Sequence, residues 1–213
     1  YVCTPTGREL PEMFDHWKKV AALLDKPITP VVGGSLFSLI RQQGCIPNFR
    51  QRFCTRMLKI EPYAKWLCQQ MQTHERVISY VGLRADEGER EGGDYASIPG
   101  VEMKFPMRDW GWGMTEVLGY LAKRGVTIPQ RTDCDVCFFQ RLAEWYRLWK
   151  DHPSEWAEGE AIEEEMGHTF RTPGRDTWPD SMRDLRLRFE SGDMPTRSLN
   201  RELKELQCRV CRI

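Results

Sequence analysis

The residues best suited to chemistry lie between Arg50 and Pro62, where Cys54 is surrounded by Arg50, Arg52, Arg56 and Lys59. Cations beside a thiol favour its thiolate, which is both the nucleophile and the metal ligand. Cations interleaved with apolar residues also suit a polyanion such as a nucleotide phosphate. A solvated basic loop leading into a helix begun by Pro62 is the plainer reading. Two Cys-x-x-Cys pairs follow, Cys134-Asp-Val-Cys137 and Cys208-Arg-Val-Cys211. In a chain with the composition of an ordinary globular protein such pairs point to metal or redox chemistry. The eight cysteines in 213 residues are too sparse for a disulfide scaffold. Formal net charge is zero, so any anion site has to be local rather than a property of the whole surface. No run approaches the 18 or so apolar residues of a membrane span, and a cytoplasmic, membrane-free protein is expected.

The elements that must position these residues alternate. Tyr1 to Cys3 reads as the end of a strand. Thr4 to Glu12 is a turn into a helix, with Pro11 in its first position and Met13, Phe14, Trp17, Val20, Ala21 and Leu24 on one face. Thr4, Thr6 and Gly7 stand before that helix, where hydroxyls and backbone N–H groups serve either an anion or plain capping. Ile28 to Val32 reads as a short strand, Gly33-Gly34 as a turn, and Ser35 as the cap of a helix. After Cys54, Pro62 to Gln72 is helical and Val77 to Val81 is a strand. That strand runs into Gly82-Leu-Arg84, which places an arginine where open α/β sheets bind ligands. Val101 to Pro106 is a strand, Asp109 to Gly113 a turn, and Met114 to Arg124 a helix closed by Gly125. The order argues for an α/β sheet over residues 1–130. Residues 131–213 then read as a helical, cysteine-containing extension. There Glu155, Glu158, Glu160, Glu163, Glu164 and Glu165 are expected to form a solvated face.

Three segments in order resemble the phosphoadenosine phosphosulfate (PAPS) reductase family, within the adenine-nucleotide α-hydrolase, or N-type ATP pyrophosphatase, superfamily. Thr6-Gly-Arg-Glu-Leu-Pro-Glu12 is similar to its Thr-Gly-x-Glu-x-Pro-Glu turn. Cys54-Thr-Arg-Met-Leu-Lys-Ile-Glu-Pro62 is similar to its Cys-x-x-x-x-Lys-x-x-Pro segment, and Gly82-Leu-Arg84, with Glu87 and Arg90 behind it, to its Gly-Leu-Arg segment. The resemblance covers Tyr1 to Pro129. It implies a Rossmann-like fold binding an adenine nucleotide (PAPS, adenosine phosphosulfate or ATP). Thr6 and Gly7 would lie near the nucleotide, and Arg84, Arg56, Lys59 and Arg90 would meet its phosphate or sulfate. Iron–sulfur members carry a Cys-x-x-Cys about eighty residues beyond the Lys-x-x-Pro segment, which implies Cys54, Cys134 and Cys137 as ligands of a 4Fe–4S cluster.

Three departures accompany the resemblance. The superfamily's Ser-Gly-Gly-x-Asp-Ser phosphate loop has no counterpart, which leaves open a fragment, lost residues or a protein without ATP hydrolysis. Phe53-Cys54 stands where adjacent cysteines are usual, so Cys208, Cys211, Cys45 or a non-protein group is left as fourth ligand. The catalytic Glu-Cys-Gly tail is missing, and Cys208 and Cys211 are expected in its stead as catalytic thiols. The first functional expectation is therefore sulfonucleotide reduction, served by a thioredoxin-like reductant and with homodimerisation common in the family. An ATP-dependent sulfur transferase acting on tRNA or DNA is the alternative, with Arg171, Arg175, Arg183, Arg186 and Arg188 available to nucleic acid. A non-catalytic nucleotide-binding subunit with a structural zinc held by four cysteines is the third.

Overall fold

The computed structural model describes residues 1–90, 95–129, 131 and 134–202. It is a mixed α/β structure, rich in helix, with two small parallel sheets. Strand β1 (Val2–Cys3) pairs with β2 (Thr29–Pro30), and β3 (Val77–Tyr80) with β4 (Val101–Lys104). Parallel neighbours need a crossover, and each pair has one. Helix α1 (Pro11–Leu24) joins β1 to β2, and the segment 81–100 joins β3 to β4. Among the described residues the two sheets are not hydrogen-bonded to each other.

Helix α1 starts at Pro11, whose missing N–H costs nothing in a first turn, and stops at Asp25, which takes a left-handed conformation at φ 49°. The face expected to be buried is only partly covered. Met13 is buried, while Phe14 is 45% exposed and packs edge-on against Trp17. Helix α2 (Leu36–Gln43) is capped by the Ser35 hydroxyl, which accepts from the Ser38 N–H, and ends at Gly44 in the left-handed region. It buries Leu36, Leu39 and Ile40.

Cys54 lies on α3 (Phe53–Thr55), which continues through a π-helical stretch, Arg56–Ile60, into α4 (Glu61–Gln70). Pro62 has no N–H to give to the carbonyl four residues back, and the Glu61 N–H bonds to Arg56, five back. Gly33 permits this run to pack closely: a Cβ there would stand 2.3 Å from Pro62 Cγ and 3.0 Å from the Met57 carbonyl. The short helix α5 (Pro106–Asp109) and α6 (Met114–Lys123) follow β4. The Trp-Gly-Trp turn expected from Asp109 thus begins one residue later, at Trp110.

Helices α7 (Leu142–Asp151), α8 (Pro153–Met166) and α9 (Met182–Glu190) pack on one another. Their Trp145, Leu148, Trp156, Ile162, Leu185 and Phe189 share a single hydrophobic cluster with Leu10, Leu36, Ile40 and Leu58 from the first part of the chain. That core crosses the boundary expected at residue 130. Burying each such side chain is worth roughly 1.5–3 kcal/mol, so the two parts stabilise each other by far more than any single polar contact. A second cluster, Leu67, Tyr95 and Val101, seats α4 on the β3–β4 pair.

Two expectations for the helical part are corrected. Glu163 is not on a solvated face: it is 6% exposed, and its two carboxylate oxygens accept the Phe170 N–H at 2.8 Å and the Met182 N–H at 2.6 Å. These amides open the loop after α8 and helix α9, so one carboxylate closes both ends of a connection that the helical pattern alone does not reveal. Arg171, expected to be available to nucleic acid, is 1% exposed and donates to the carbonyls of Trp178 and Pro179 and to Asp176.

Candidate functional site

The turn after β1 and the Cys-Asp-Val-Cys turn, far apart in sequence, are clasped together. Arg8 donates from Nε and Nη2 to the two carboxylate oxygens of Asp135, the first bond being 3.1 Å, and the Asp135 N–H returns 2.9 Å to the Arg8 carbonyl. Arg8 also pairs with Glu158 on α8 and lies 4.1 Å over the Phe37 ring. Burial pushes the Asp135 carboxyl up to about 6, and the Arg8 guanidinium offsets only part of that. Sequence reasoning missed both residues. Arg8 occupies a variable place inside the Thr-Gly-x-Glu pattern and Asp135 the spacer between two cysteines, so neither carries a local signal.

The clasp delivers Cys134 to Thr6, whose Oγ1 stands 3.0 Å from its Sγ. Thr6 is 1% exposed, and its hydroxyl donates 2.8 Å to Glu9 Oε1. In the contact between Thr6 and Cys134 either the hydroxyl or the thiol can donate. Burial is the largest influence on Cys134 and pushes its thiol up to about 11; Lys59 and the Thr6 contact act the other way, while Glu9 and Cys137 reinforce burial. A cation does face a cysteine here, but desolvation wins, so Cys134 is a thiol at neutral pH rather than the thiolate that cationic neighbours alone would produce. Cys54, like Cys134, is partly buried and packs against the larger hydrophobic cluster. The Cys137 N–H bonds to the Cys134 carbonyl at 3.2 Å, forming the turn between the pair.

The N–H groups of Thr6 and Gly7, expected near a nucleotide, are taken by Glu9 of the same turn. Its carboxylate accepts the Thr6 N–H at 2.7 Å and the Gly7 N–H at 3.0 Å. Gly7 is needed there: its φ is +74°, and a Cβ would come 3.2 Å from Ser35 Cβ. The Thr6 carbonyl meanwhile accepts from Leu36 at 2.8 Å, tying the turn to the start of α2.

Beside this assembly lies a cleft of about 1150 Å³. One wall is β1 with Thr4, another is β3 running on to Leu83, and Arg52, Arg56, Lys59 and Arg90 line it with Tyr63 and Trp66. Arg90 and Arg84 are bridged by Glu87, at 2.6 Å and 3.5 Å, and Arg84 donates 2.8 Å to Asp86. Arg56 lies 3.7 Å from Glu61. Of the four expected oxyanion ligands, Arg56, Lys59 and Arg90 therefore share the cleft, and Arg84 stands behind it through Glu87. Cys45 lines a separate hollow with Arg52, Phe53 and Arg56. Cys208 and Cys211 lie outside the described residues.

Among the described residues no three of His, Cys, Asp and Glu are grouped as a metal site. Cys134 and Cys137 are paired by their turn, and Lys59 lies near enough to Cys134 to act on its thiol.

Fold and site together define a helix-rich α/β protein with a cleft lined by β1, β3 and the cations Arg52, Arg56, Lys59 and Arg90. No protein-family model, curated protein or solved structure matches the chain.

Proposed function

We propose that this is a Rossmann-like, PAPS reductase-like cytoplasmic protein that binds an adenine nucleotide in the cleft and reduces a nucleotide-bound sulfur group. One observation carries the reading: the Thr6 turn, Cys134 and Lys59 converge on one place although they come from three distant parts of the chain. Arg56, Lys59 and Arg90 supply the positive charge that a phosphate or sulfate needs beside the ends of β1 and β3. Cys54, Cys134 and Cys137 would hold a 4Fe–4S cluster, or zinc in its place, and such a group supplies a fixed local charge beside the bound oxyanion. The reaction itself belongs to Cys208 and Cys211. A thiolate of one forms a bond to the sulfate sulfur as the sulfur–oxygen bond to the nucleotide breaks. The second thiol then attacks the first cysteine's sulfur, releasing sulfite and leaving a disulfide that a thioredoxin-like reductant returns to the dithiol.

The nucleic-acid alternative is weakened by four of the five tail arginines, Arg183 alone of the five being exposed with neither an ion pair nor a side-chain hydrogen bond among the described residues. Arg171 is buried, Arg175 donates to the Gln140 carbonyl, Arg186 pairs with Glu160 and Glu190, and Arg188 pairs with Asp193.

Anaerobic purification followed by iron, sulfide and zinc analysis of the protein and of Cys54→Ala and Cys134→Ala tests the metal. Iron and sulfide near four per chain, lost in both variants, support a cluster; zinc alone supports the third expectation. Thiol-dependent sulfite release from PAPS or adenosine phosphosulfate tests the reaction. Lys59→Ala is expected to weaken nucleotide binding about tenfold or more, the worth of one charge-assisted hydrogen bond. Unchanged binding removes the cleft from the proposal.

A further inference from the structure

A second cavity, of about 650 Å³, lies in the helical part and shares no lining residue with the cleft. Its size is ordinary for a small-ligand site. It opens between the start of α7, residues 175–178 and the segment 194–202 that follows α9. Arg141, Arg175, Arg197 and Arg201 line it, against two carboxylates, Asp176 and Glu202. Both carboxylates are engaged by arginines outside the lining. Asp176 bonds to Arg171, although it also feels the charge of Arg175, and Glu202 bonds to Arg147.

Two of the arginines set the character of the cavity. Arg175 is exposed and gives its Nη1 to the carbonyls of Gln140 and Phe138, at 2.9 Å and 3.4 Å. Those acceptors are neutral, so the guanidinium keeps its charge and has further N–H groups to offer. Arg197 is exposed and makes no ion pair among the described residues. Ser198 adds an uncharged donor: its Oγ accepts the Ala143 N–H at 3.1 Å, which leaves the hydroxyl proton to give. The remaining lining is apolar. Leu142, Trp178 and Pro195 form it together with Met194, which is 52% exposed. Positive charge is thus concentrated beside an apolar floor in a chain that carries no net charge.

We propose that this cavity binds a small phosphate monoester, with the dianion on Arg175 and Arg197 and the organic group against Leu142, Met194 and Trp178. The planar arginine fork matches phosphate oxygens two at a time, and a dianion answers two guanidinium groups where a carboxylate answers one. A concave site with charge of one sign and low-dielectric walls also raises the local concentration of anions. Ser198 completes the donor set from a third direction of the chain, the start of the segment after α9. The site is separate from the cleft and does not rest on the nucleotide reading.

The probe is phenyl phosphate, titrated calorimetrically into the full chain at about pH 8, above the second phosphate pKa of about 6. Benzoate is the singly charged comparator of similar shape. Arg197→Glu is the chief variant, because Arg197 is exposed, whereas Arg175→Gln would also release the carbonyls of Phe138 and Gln140. Lys59→Ala reports on the cleft. Phenyl phosphate is expected to bind with a Kd of about 1 mM or tighter, and about tenfold tighter than benzoate. Arg197→Glu should weaken it by about tenfold or more, the worth of a charge-assisted hydrogen bond, with Tm unchanged. Lys59→Ala should leave it as it is. Equal affinity in the parent chain and in Arg197→Glu overturns the proposal, as does benzoate binding as tightly as phenyl phosphate. Loss of binding in Lys59→Ala alone also overturns it, because the probe then sits in the cleft, and that result leaves the nucleotide reading standing.

Discussion

Thr6 Oγ1 and Cys134 Sγ lie 3.0 Å apart although 128 positions separate them in the chain. The contact joins the turn after the first strand to the turn that introduces the helical part, and it is made in a nearly dry place. Thr6 also holds Glu9, so one hydroxyl orders a carboxylate and a thiol together.

Replacing Thr6 by Val keeps the volume and removes the hydroxyl. The Cys134 thiol then loses its partner and Glu9 loses one of its donors. Thr6→Val is expected to lower stability by about 1–3 kcal/mol, the cost of leaving buried polar groups unpaired. Urea unfolding monitored by tryptophan fluorescence measures it; an unchanged midpoint would show that the contact contributes nothing.

Arg8 and Asp135 are the stronger tie. Arg8→Met leaves a buried carboxylate without its partner, and a loss of about 3–5 kcal/mol is expected. Arg8→Met combined with Asp135→Leu removes both charges and should recover much of that loss, as apolar replacements of buried pairs often do. A double-mutant cycle in guanidinium chloride reads the coupling. Additive losses would mean that the two residues do not interact as described.

Stability should fall as pH rises from about 4 to 7. Burial raises the Glu163 carboxyl from 4.5 to about 7 and Asp135 from 3.8 to about 6. Between the ordinary and the raised values the native state keeps a proton that the unfolded chain has lost. The unfolding free energy therefore decreases with pH across that window and levels off above it. The Glu163 contribution is of order 3 kcal/mol. Glu163→Gln should flatten the upper part of the profile, leaving the step below about pH 6 that belongs to Asp135. Denaturation midpoints at a series of pH values test the sign, and a profile rising from pH 5 to 7 would contradict it.

Gly159 sits inside α8, where alanine ordinarily stabilises a helix by roughly 1 kcal/mol. Here a Cβ would lie 2.8 Å from Val136 Cγ1 and 2.8 Å from Met182 Cε. The methionine end can move, but the branched valine cannot. Overpacking of this kind costs about 1–3 kcal/mol, so Gly159→Ala should be neutral to destabilising. Pairing it with Val136→Ala should restore the helix gain. Thermal unfolding of the single and double variants decides between propensity and packing.

Local pattern made much of the element order legible. Pro11, Ser35, Gly44, Pro153 and Gly167 mark helix ends where capping chemistry says they should. The Val77 and Val101 runs form strands, and the cleft takes Arg56, Lys59 and Arg90 from among the expected oxyanion ligands. Phe14 and Glu163 went against their patterns. A helix face is buried only where another element arrives to cover it, and a carboxylate goes inside only where two backbone N–H groups await it.

What the sequence determined by itself is therefore short-range: where helices begin and stop, which runs favour strands, and which residues carry thiols and charge, because propensity and capping act within a few positions. What only tertiary structure decided is long-range. The Arg8–Asp135 clasp, the approach of Cys134 to Thr6, the burial of Glu163 and Arg171, and the cleft walled by β1 and β3 all depend on chain segments meeting across tens of residues. Such meetings follow from the packing of one shared core, and no local pattern encodes which surfaces that core will bring together.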